Sequence, residues 1–418
     1  MESINIQSYD QKRKNIKRLL DCAMLILGGV LFFFLPLSYF ILISLLSPYF
    51  RSDVRKLSLF LCFIVAVSFY SSLKPFSDLA EYLNVYHKIE SGEVNVFFYE
   101  RFGYGIEFFS LMLMKTVGYL SNYNDQALLL TLYTLIFFMI YRVSIKISSV
   151  YYGAIFGSFF FSLLFLESAS YFIRQNISVL FFLLAIINPT SKKRTYILFA
   201  LSIFSHISGV INIFVYLFAK WYGHKINKPQ RIIKVLMISL IGIIALMLFL
   251  TLTPIGRVLY EKSIYVINNH SYDALPLIYV ILVTVNVFFI VTVSRRYSFD
   301  NIVIYYLFIK ELFVFYMFLP FPAVPNRLGM ILFSYSPVFL FQIYNNKVIS
   351  FKRYLVGILF ITLNIMPFLY SMSVISLKEN KYSFYMNEPF TANMLQIVNY
   401  LYSNITNGVE YIDKGNLQ

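Results

Sequence analysis

Charged residues, cysteine and tryptophan are all scarce in this chain of 418 residues. Charged residues make up 13% of the sequence, about half the share found in an average soluble domain. The two cysteines, Cys22 and Cys62, lie in apolar stretches, which argues against a disulfide framework. Also missing are a P-loop, a GxGxxG motif after a strand, an HExxH motif and Cys/His metal spacing. The sequence therefore predicts neither nucleotide hydrolysis nor a zinc site, and we expect no cofactor.

Hydrophobic residues, by contrast, make up 59% of the chain, with 45 Phe and 35 Tyr. A soluble fold of this length cannot bury so much apolar surface, whereas a lipid-facing exterior can itself be apolar. We therefore expect an all-α, polytopic integral membrane helical bundle. A spanning helix needs about 20 apolar residues, which gives about 11 to 13 spanning or re-entrant helices. The candidate segments are Cys22–Ser47, Leu57–Leu73, Gly105–Leu120, Gln126–Ile147, Val150–Ser168, Tyr171–Ile187, Tyr196–Ala219, Ile232–Thr253, Leu275–Ser294, Ile302–Leu319, Leu328–Tyr344 and Tyr354–Val374.

These segments predict a single transmembrane helical domain over residues 1–376 and a polar C-terminal tail over residues 377–418. Outer loops are expected at about 74–104 and 254–274. The net charge of +15 lies largely in short basic clusters between apolar segments, which is typical of the cytoplasmic ends of membrane spans. No nucleic-acid partner is therefore expected.

Two segments do not fit simple crossings. Tyr196–Ala219 has basic residues at both ends and is interrupted by Ser205–Gly209. It is either a re-entrant pair of half-helices, with its broken backbone buried or wetted, or one crossing that violates the charge rule at a single loop. The first apolar run follows a basic start and is interpreted as a retained anchor. It contains Pro36 near its middle, and the basic stretch Arg51–Lys56 follows it. A hairpin at Pro36 would place residues 74–104 outside, the side that we favour.

Several ionisable residues lie in apolar segments, where a charge is costly and usually has a partner or a cavity. Arg174 begins a helix together with Gln175 and Asn176, and this polar cluster is larger than one ion pair requires. A structural pair with Glu167, or an arginine that reaches the interface, is the plainer alternative. Lys310 and Glu311 are adjacent inside another apolar segment, and each needs its own partner, either in a site or in a buried structural network.

Two further regions suggest a site at the outer face. Arg327 follows three prolines in a stiff stretch, so Arg174 and Arg327 at outer helix ends would together clamp a diphosphate. In the loop at 74–104, carboxylates stand beside tyrosines, a combination that suits sugar recognition, and one carboxylate would serve as a general base. Most acidic residues in loops are merely solvated, and a lone histidine such as His206 is more often structural.

Four short motifs, taken in order, resemble those of the O-antigen polymerase family (Wzy-type, including EpsG-like polysaccharide polymerases). They span residues 77 to 329, and each one alone is weak. Lys310 and Glu311 have no counterpart among them. The four motifs are Ser77-Asp78-Leu79 with Tyr82 and Tyr86, Phe172-Ile173-Arg174-Gln175-Asn176, Phe204-Ser205-His206-Ile207-Ser208, and Asn326-Arg327-Leu328-Gly329.

The resemblance implies a GT-C-like polymerase in the bacterial inner membrane. Such an enzyme transfers a growing glycan from undecaprenyl diphosphate onto a new lipid-linked repeat unit at the periplasmic face. A chain-length regulator protein is a candidate partner, besides membrane lipid and the lipid-linked oligosaccharide. On this resemblance, the catalytic residues are Asp78, toward the acceptor hydroxyl, and Arg174 and Arg327, toward the diphosphate. The substrate-binding residues are Gln175, Asn176, His206, Tyr82 and Asn326.

Two other functions fit a chain of this composition. A lipid-linked oligosaccharide flippase of the same pathway is also apolar, basic and many-spanned, but it should show two related halves, and the sequence has no clear duplication. A membrane acyltransferase usually needs a catalytic histidine. His206 is the one candidate, and the sequence places no acid next to it.

Overall fold

The computed structural model describes residues 2–75, 78–95, 106–162, 172–187, 191–222 and 391–409, with scattered positions between 241 and 369. Every regular element in these ranges is a helix, so the predicted all-helical class is confirmed for them. Numbered in order within these ranges, the helices are α1 (Glu2–Phe34), α2 (Pro36–Leu46), α3 (Ser52–Ser71), α4 (Asp78–Glu90), α5 (Phe108–Ser121), α6 (Asp125–Ile147), α7 (Tyr152–Phe160), α8 (Ile173–Ile186), α9 (Lys192–Ser205), α10 (Ser208–Tyr222) and α11 (Met394–Asn407).

Two of these helices, α3 and α6, are long and apolar enough to cross a membrane. The chain divides into two compact units. The first unit comprises residues 1–76, 124–163 and 346–418, and the second comprises residues 77–123 and 164–345.

In the first unit, α3 and α6 run antiparallel. The Gln126 side-chain amide at the start of α6 donates to the carbonyl of Ser71 at the end of α3, at 2.9 Å. At the opposite end, Arg55 donates to the carbonyl of Ser149 just after α6, also at 2.9 Å. The core between them is aromatic, since the buried Tyr70 ring contacts the rings of Tyr133, Phe137 and Phe160. The basic residues Arg51, Arg55, Lys56, Arg142 and Lys146 therefore gather at one end of this pair.

The first apolar run is a helical hairpin. Helix α1 ends at Phe34, and Pro36 opens α2 at the first helical position, which tolerates proline because its missing N–H would be unpaired there anyway. A Cβ on Gly28 would lie 3.1 Å from the Tyr39 ring, although a continuous helix separates these positions by about 16 Å. At the open end, the Arg51 backbone N–H donates to the buried Asp21 carboxylate at 3.1 Å. The hairpin that Pro36 was expected to allow is therefore present.

The second unit contains another hairpin, formed by α9 and α10. The rings of Phe199 and Tyr216 lie 5.6 Å apart, whereas a continuous helix separates these positions by about 25 Å. A Cβ on Gly209 would come within 2.8 Å of the Ser202 carbonyl oxygen, so the chain reverses sharply between them. Of the two interpretations of residues 196–219, the pair of half-helices is confirmed and the continuous crossing is wrong.

Other regions have more detail than the sequence predicted. Helices α5 and α8 have 14 residues each, about 21 Å, which is less than the roughly 30 Å of a crossing, so the predicted spans Gly105–Leu120 and Tyr171–Ile187 stay predictions. The region 74–104, expected as a loop, contains α4, and the region 377–418, expected as a polar tail, contains α11. The α11 face formed by Met394, Ile397, Leu401 and Asn404 is buried within the first unit, where α11 contacts α1, α3 and α6. The five predicted spans that begin after residue 230 lie outside the continuously described ranges.

Candidate functional site

A buried carboxylate, that of Glu107, is at the centre of the polar groups in the second unit. Glu107 immediately precedes α5, and its side chain is 1% exposed. The two following residues fix its position, because the Phe108 ring packs on Phe204 at the end of α9 and the Phe109 ring packs on Phe181 of α8. Aromatic packing on both sides thus holds the carboxylate between α8 and the α9–α10 hairpin.

Arg174, in the first turn of α8, is the cationic partner of Glu107. Its Nη1 donates a charged hydrogen bond to Glu107 Oε2, and its Nε donates to the Tyr82 hydroxyl at 3.0 Å. The guanidinium also lies over the Tyr82 ring, 5.6 Å from the centroid. The Arg174 side chain is 14% exposed. A tyrosine and a carboxylate therefore fix its orientation, since a guanidinium is a planar fork of donors.

The tip of the α9–α10 hairpin contacts the other oxygen of the same carboxylate. The Ile207 backbone N–H donates to Glu107 Oε1 at 3.1 Å, and His206 Nε2 lies 3.8 Å from that oxygen. Ile207 directly precedes α10, so Glu107 accepts one of the N–H groups that a helix start leaves without an intrahelical partner. A negative charge is also favourable at this end of the helix dipole.

The geometry assigns a tautomer to His206. Its Nδ1 accepts the Ser208 backbone N–H at 3.2 Å and lies 2.8 Å from the Ser208 hydroxyl. A backbone N–H can only donate, so Nδ1 carries the lone pair, and the proton of the neutral ring is on Nε2, facing Glu107. Both ring nitrogens are thus engaged within the protein. The His206 side chain is 25% exposed, which makes it more accessible than Arg174 and Glu107.

Two serines attach the hairpin to α8. The Ser178 hydroxyl donates to the Ser202 carbonyl at 2.7 Å, and the Ser202 hydroxyl donates to the Ser178 carbonyl at 2.8 Å. Ser178 lies four residues after Arg174, so both residues belong to one face of α8. That face of α8 contacts the hairpin near its tip through the two serines. Arg174, on the same face, is connected to the tip itself through Glu107, which lies between them.

Gln175 and Asn176, both buried, do not share that face. Residues two apart on a helix point about 200° apart, so Asn176 is directed away from Arg174. Its carboxamide has no hydrogen-bond partner on either atom within the described structure. Arg174, Gln175 and Asn176 therefore do not form the single polar cluster that the sequence suggested.

The structure brings together three of the predicted site residues, namely Tyr82, Arg174 and His206. Asp78 is the first residue of α4, and its side chain lies outside the described part, as do Asn326, Arg327, Lys310, Glu311 and Glu167. The plainer alternative for Arg174 named Glu167 as its partner, whereas the described partner is Glu107. The ranges described here contain no group of three or more His, Cys, Asp or Glu residues placed to hold a metal ion.

Sequence reasoning missed Glu107, and with it one conclusion was wrong. The lack of an acid next to His206 in the sequence was an argument against an acyltransferase. In the folded protein, however, Glu107 Oε1 lies 3.8 Å from His206 Nε2. The sequence signal for Glu107 was an acidic residue one position before an apolar helix. Because solvated carboxylates are common at that position, the signal did not single out Glu107. Comparison of the chain with family models, with curated proteins and with solved structures gives no significant match.

Proposed function

We propose that this chain is a multi-pass glycosyltransferase of the bacterial inner membrane that polymerises lipid diphosphate-linked oligosaccharides. In this reaction the growing glycan leaves undecaprenyl diphosphate and joins a new lipid-linked repeat unit at the periplasmic face. The donor is already activated, which agrees with a sequence that has no nucleotide-binding motif.

The proposal rests on one observation, the convergence of three motifs that are far apart in the chain. Tyr82, Arg174 and His206 come from three of the four polymerase-like motifs and meet around Glu107. Short motifs that match a family by chance have no reason to share a contact network. Their convergence therefore supports a common site, and the order of the motifs supports the polymerase reading.

The dimensions of the α9–α10 hairpin support a site near the outer face. Basic residues at its base, Lys192 and Lys220, are typical of a cytoplasmic boundary. Helix α9 has 14 residues and is about 21 Å long, so a hairpin normal to the membrane carries its tip about two-thirds of the way across a hydrocarbon layer of about 30 Å. His206 then lies at a depth suited to a substrate anchored in lipid.

In the proposed reaction, Arg174 offsets negative charge that accumulates on the departing diphosphate. Its contacts with Tyr82 and Glu107 hold the guanidinium in one orientation before substrate arrives. Arg327 is the proposed second cation, and Asp78 the proposed group toward the acceptor hydroxyl.

The test is gel analysis of surface polysaccharide from a bacterial strain that lacks this chain and is complemented with variants. We expect Arg174→Ala to leave surface lipid A-core with a single repeat unit, because chain extension stops while export continues. Arg142→Ala, which removes an exposed arginine of α6, is the matched control and should give full-length chains. Long chains from an Arg174→Ala protein that inserts normally would remove this residue from the mechanism.

A transporter is the second candidate, and one observation favours it. Each unit contains a helical hairpin, and paired broken helices are typical of many transporter folds. The same gel separates the two functions. Loss of a flippase leaves no repeat unit on the surface, whereas loss of a polymerase leaves one.

A further inference from the structure

The Glu107 carboxylate joins two elements, helix α8 and the tip of the α9–α10 hairpin. One oxygen accepts from Arg174 of α8, and the other accepts from the Ile207 N–H at the tip of the α9–α10 hairpin. The 1% exposure of the side chain leaves no room for a substrate atom to reach it. Its effect on any reaction is therefore exerted through Arg174 and the hairpin tip.

We propose that Glu107 is a positioning residue whose charged carboxylate fixes the hairpin tip against the Arg174 guanidinium. A carboxylate accepts on both oxygens, so it satisfies a donor on each side. A carboxamide of nearly the same shape has one accepting oxygen and one donating nitrogen, so on one side a donor would face a donor. The one accepting oxygen stays with the charged guanidinium, the stronger donor, so the carboxamide nitrogen faces the Ile207 N–H and the hairpin tip is freed.

The structural part of this inference is independent of any enzyme activity, and the catalytic part rests on the proposed function. The structural test measures maleimide labelling of Ile207→Cys in purified protein from which Cys22 and Cys62 have been removed by substitution with alanine. The substitution at 207 keeps the backbone N–H that Glu107 accepts. Glu107→Gln should raise the labelling rate about tenfold or more, the factor expected when a charge-assisted hydrogen bond that keeps the tip closed is lost.

Three variants make this result specific. Glu107→Asp keeps a group that accepts on both oxygens, so its labelling rate should lie between those of the parent and Glu107→Gln. Asp53→Asn removes an exposed carboxylate in the first turn of α3 and should leave the rate unchanged. A cysteine at Ile177, which is fully buried in α8, should stay unlabelled while the protein is folded.

If Ile177→Cys also becomes reactive, Glu107→Gln has unfolded the protein, and the variant Glu107→Gln with Arg174→Gln replaces it because it leaves no buried cation. A rate at position 207 within about twofold of the parent in a folded protein would overturn the inference.

The catalytic part is measured with purified protein and lipid-linked oligosaccharide. Glu107 does not touch substrate, so Glu107→Gln should lower kcat by about tenfold or more with KM unchanged. A raised KM with unchanged kcat would mean that Glu107 binds substrate and would contradict the positioning role. If the parent protein makes no polymer, the proposed function fails, and the labelling experiment still decides the role of Glu107.

Discussion

The two helical hairpins, one in each unit, reverse the chain by different means. The α1–α2 hairpin turns at Leu35 and Pro36 between apolar residues, and the Phe32 and Tyr39 rings pack across it with centroids 5.7 Å apart. The α9–α10 hairpin turns at His206 and Ile207 and uses polar contacts, one of them from a residue 100 positions earlier in the chain.

A chain reversal without proline must provide acceptors for the backbone N–H groups at the helix break. Proline removes a backbone donor, so the first hairpin has one fewer N–H to satisfy where the helix breaks. The second hairpin keeps its N–H groups and must find acceptors for them in an apolar setting, where an unsatisfied group costs about 1–3 kcal/mol. Glu107 accepts the Ile207 N–H and the His206 ring accepts the Ser208 N–H, while the Ser178 hydroxyl donates to the His206 carbonyl. The second hairpin therefore has a polar tip that the first does not need.

The largest expected effect tests whether both reversals exist. In protein without Cys22 and Cys62, the cysteine pairs 28/39 and 199/216 should be joined by a short thiol-reactive cross-linker, because the side chains at each pair of positions are in contact in the folded hairpin. The measurement is the gel shift of the cross-linked sample. A pair at 127 and 138, eleven positions apart in the continuous helix α6, should not cross-link. Absence of the 199/216 product in folded protein would refute the second hairpin.

The next effect compares the carboxylates that close the two hairpins. Glu107→Ala leaves Arg174 without its buried partner and should destabilise the protein by about 3–5 kcal/mol. Asp21→Ala should cost about 1 kcal/mol, because the Arg51 side chain is 55% exposed and water replaces the lost charge. Denaturant unfolding of the purified variants gives both values. Equal losses would contradict the difference in burial between these two pairs.

Glycine substitutions should separate the hairpins further. Gly209→Ala places a methyl group 2.8 Å from the backbone oxygen of Ser202, which cannot rotate away, so we expect a loss of about 1–3 kcal/mol. Gly28→Ala meets the Tyr39 ring at 3.1 Å, and the ring can shift. The helix propensity of alanine, about 1 kcal/mol better than glycine, should offset that contact. If unfolding free energies show Gly28→Ala as the more damaging change, the second reversal is not the tighter one.

The smallest effect concerns two buried serines. Ser178→Ala removes a hydrogen bond between helices and leaves the Ser202 hydroxyl with fewer partners, a loss of about 0.5–1.5 kcal/mol. Ser158→Ala removes a bond to the Ala154 carbonyl within α7 and should change stability by less than about 0.5 kcal/mol, since that carbonyl lies in the same helix. Matched thermal denaturation of the two variants checks the order.

The hairpin of the second unit was partly predictable from the sequence because charge and polarity both indicated it. Basic residues at both ends of 196–219 conflict with the charge rule for one crossing, and the polar residues near 206 marked a candidate break. Arg174 was predictable for a related reason, since an arginine inside an apolar segment needs a partner. Which partner it takes depends on the packing of Phe108 and Phe109, which no local pattern specifies.

Helices α4 and α11 were missed for a different reason. Leu79, Tyr82, Leu83 and Tyr86 recur at helical spacing, and Asn393 with Gln396 forms a capping box before α11. These signals are local and visible, but a search for segments of spanning length passes over helices of 13 or 14 residues. The predicted roles of Asp78, Asn326 and Arg327 stay predictions.

Helix α11 has a consequence for how the protein is made. Its Asn404 side chain donates to Gln126 at 2.8 Å, and Asn124 donates to the Ile405 carbonyl, also at 2.8 Å. These partners are synthesised 278 and 281 residues earlier, so the first unit stays incomplete until translation has passed residue 407. During that interval the nascent chain contains Gln126 without the Asn404 side chain that donates to it in the folded protein. Truncation before residue 394 would leave this early-made part of the protein permanently unfinished, and a purification tag is best placed beyond residue 409.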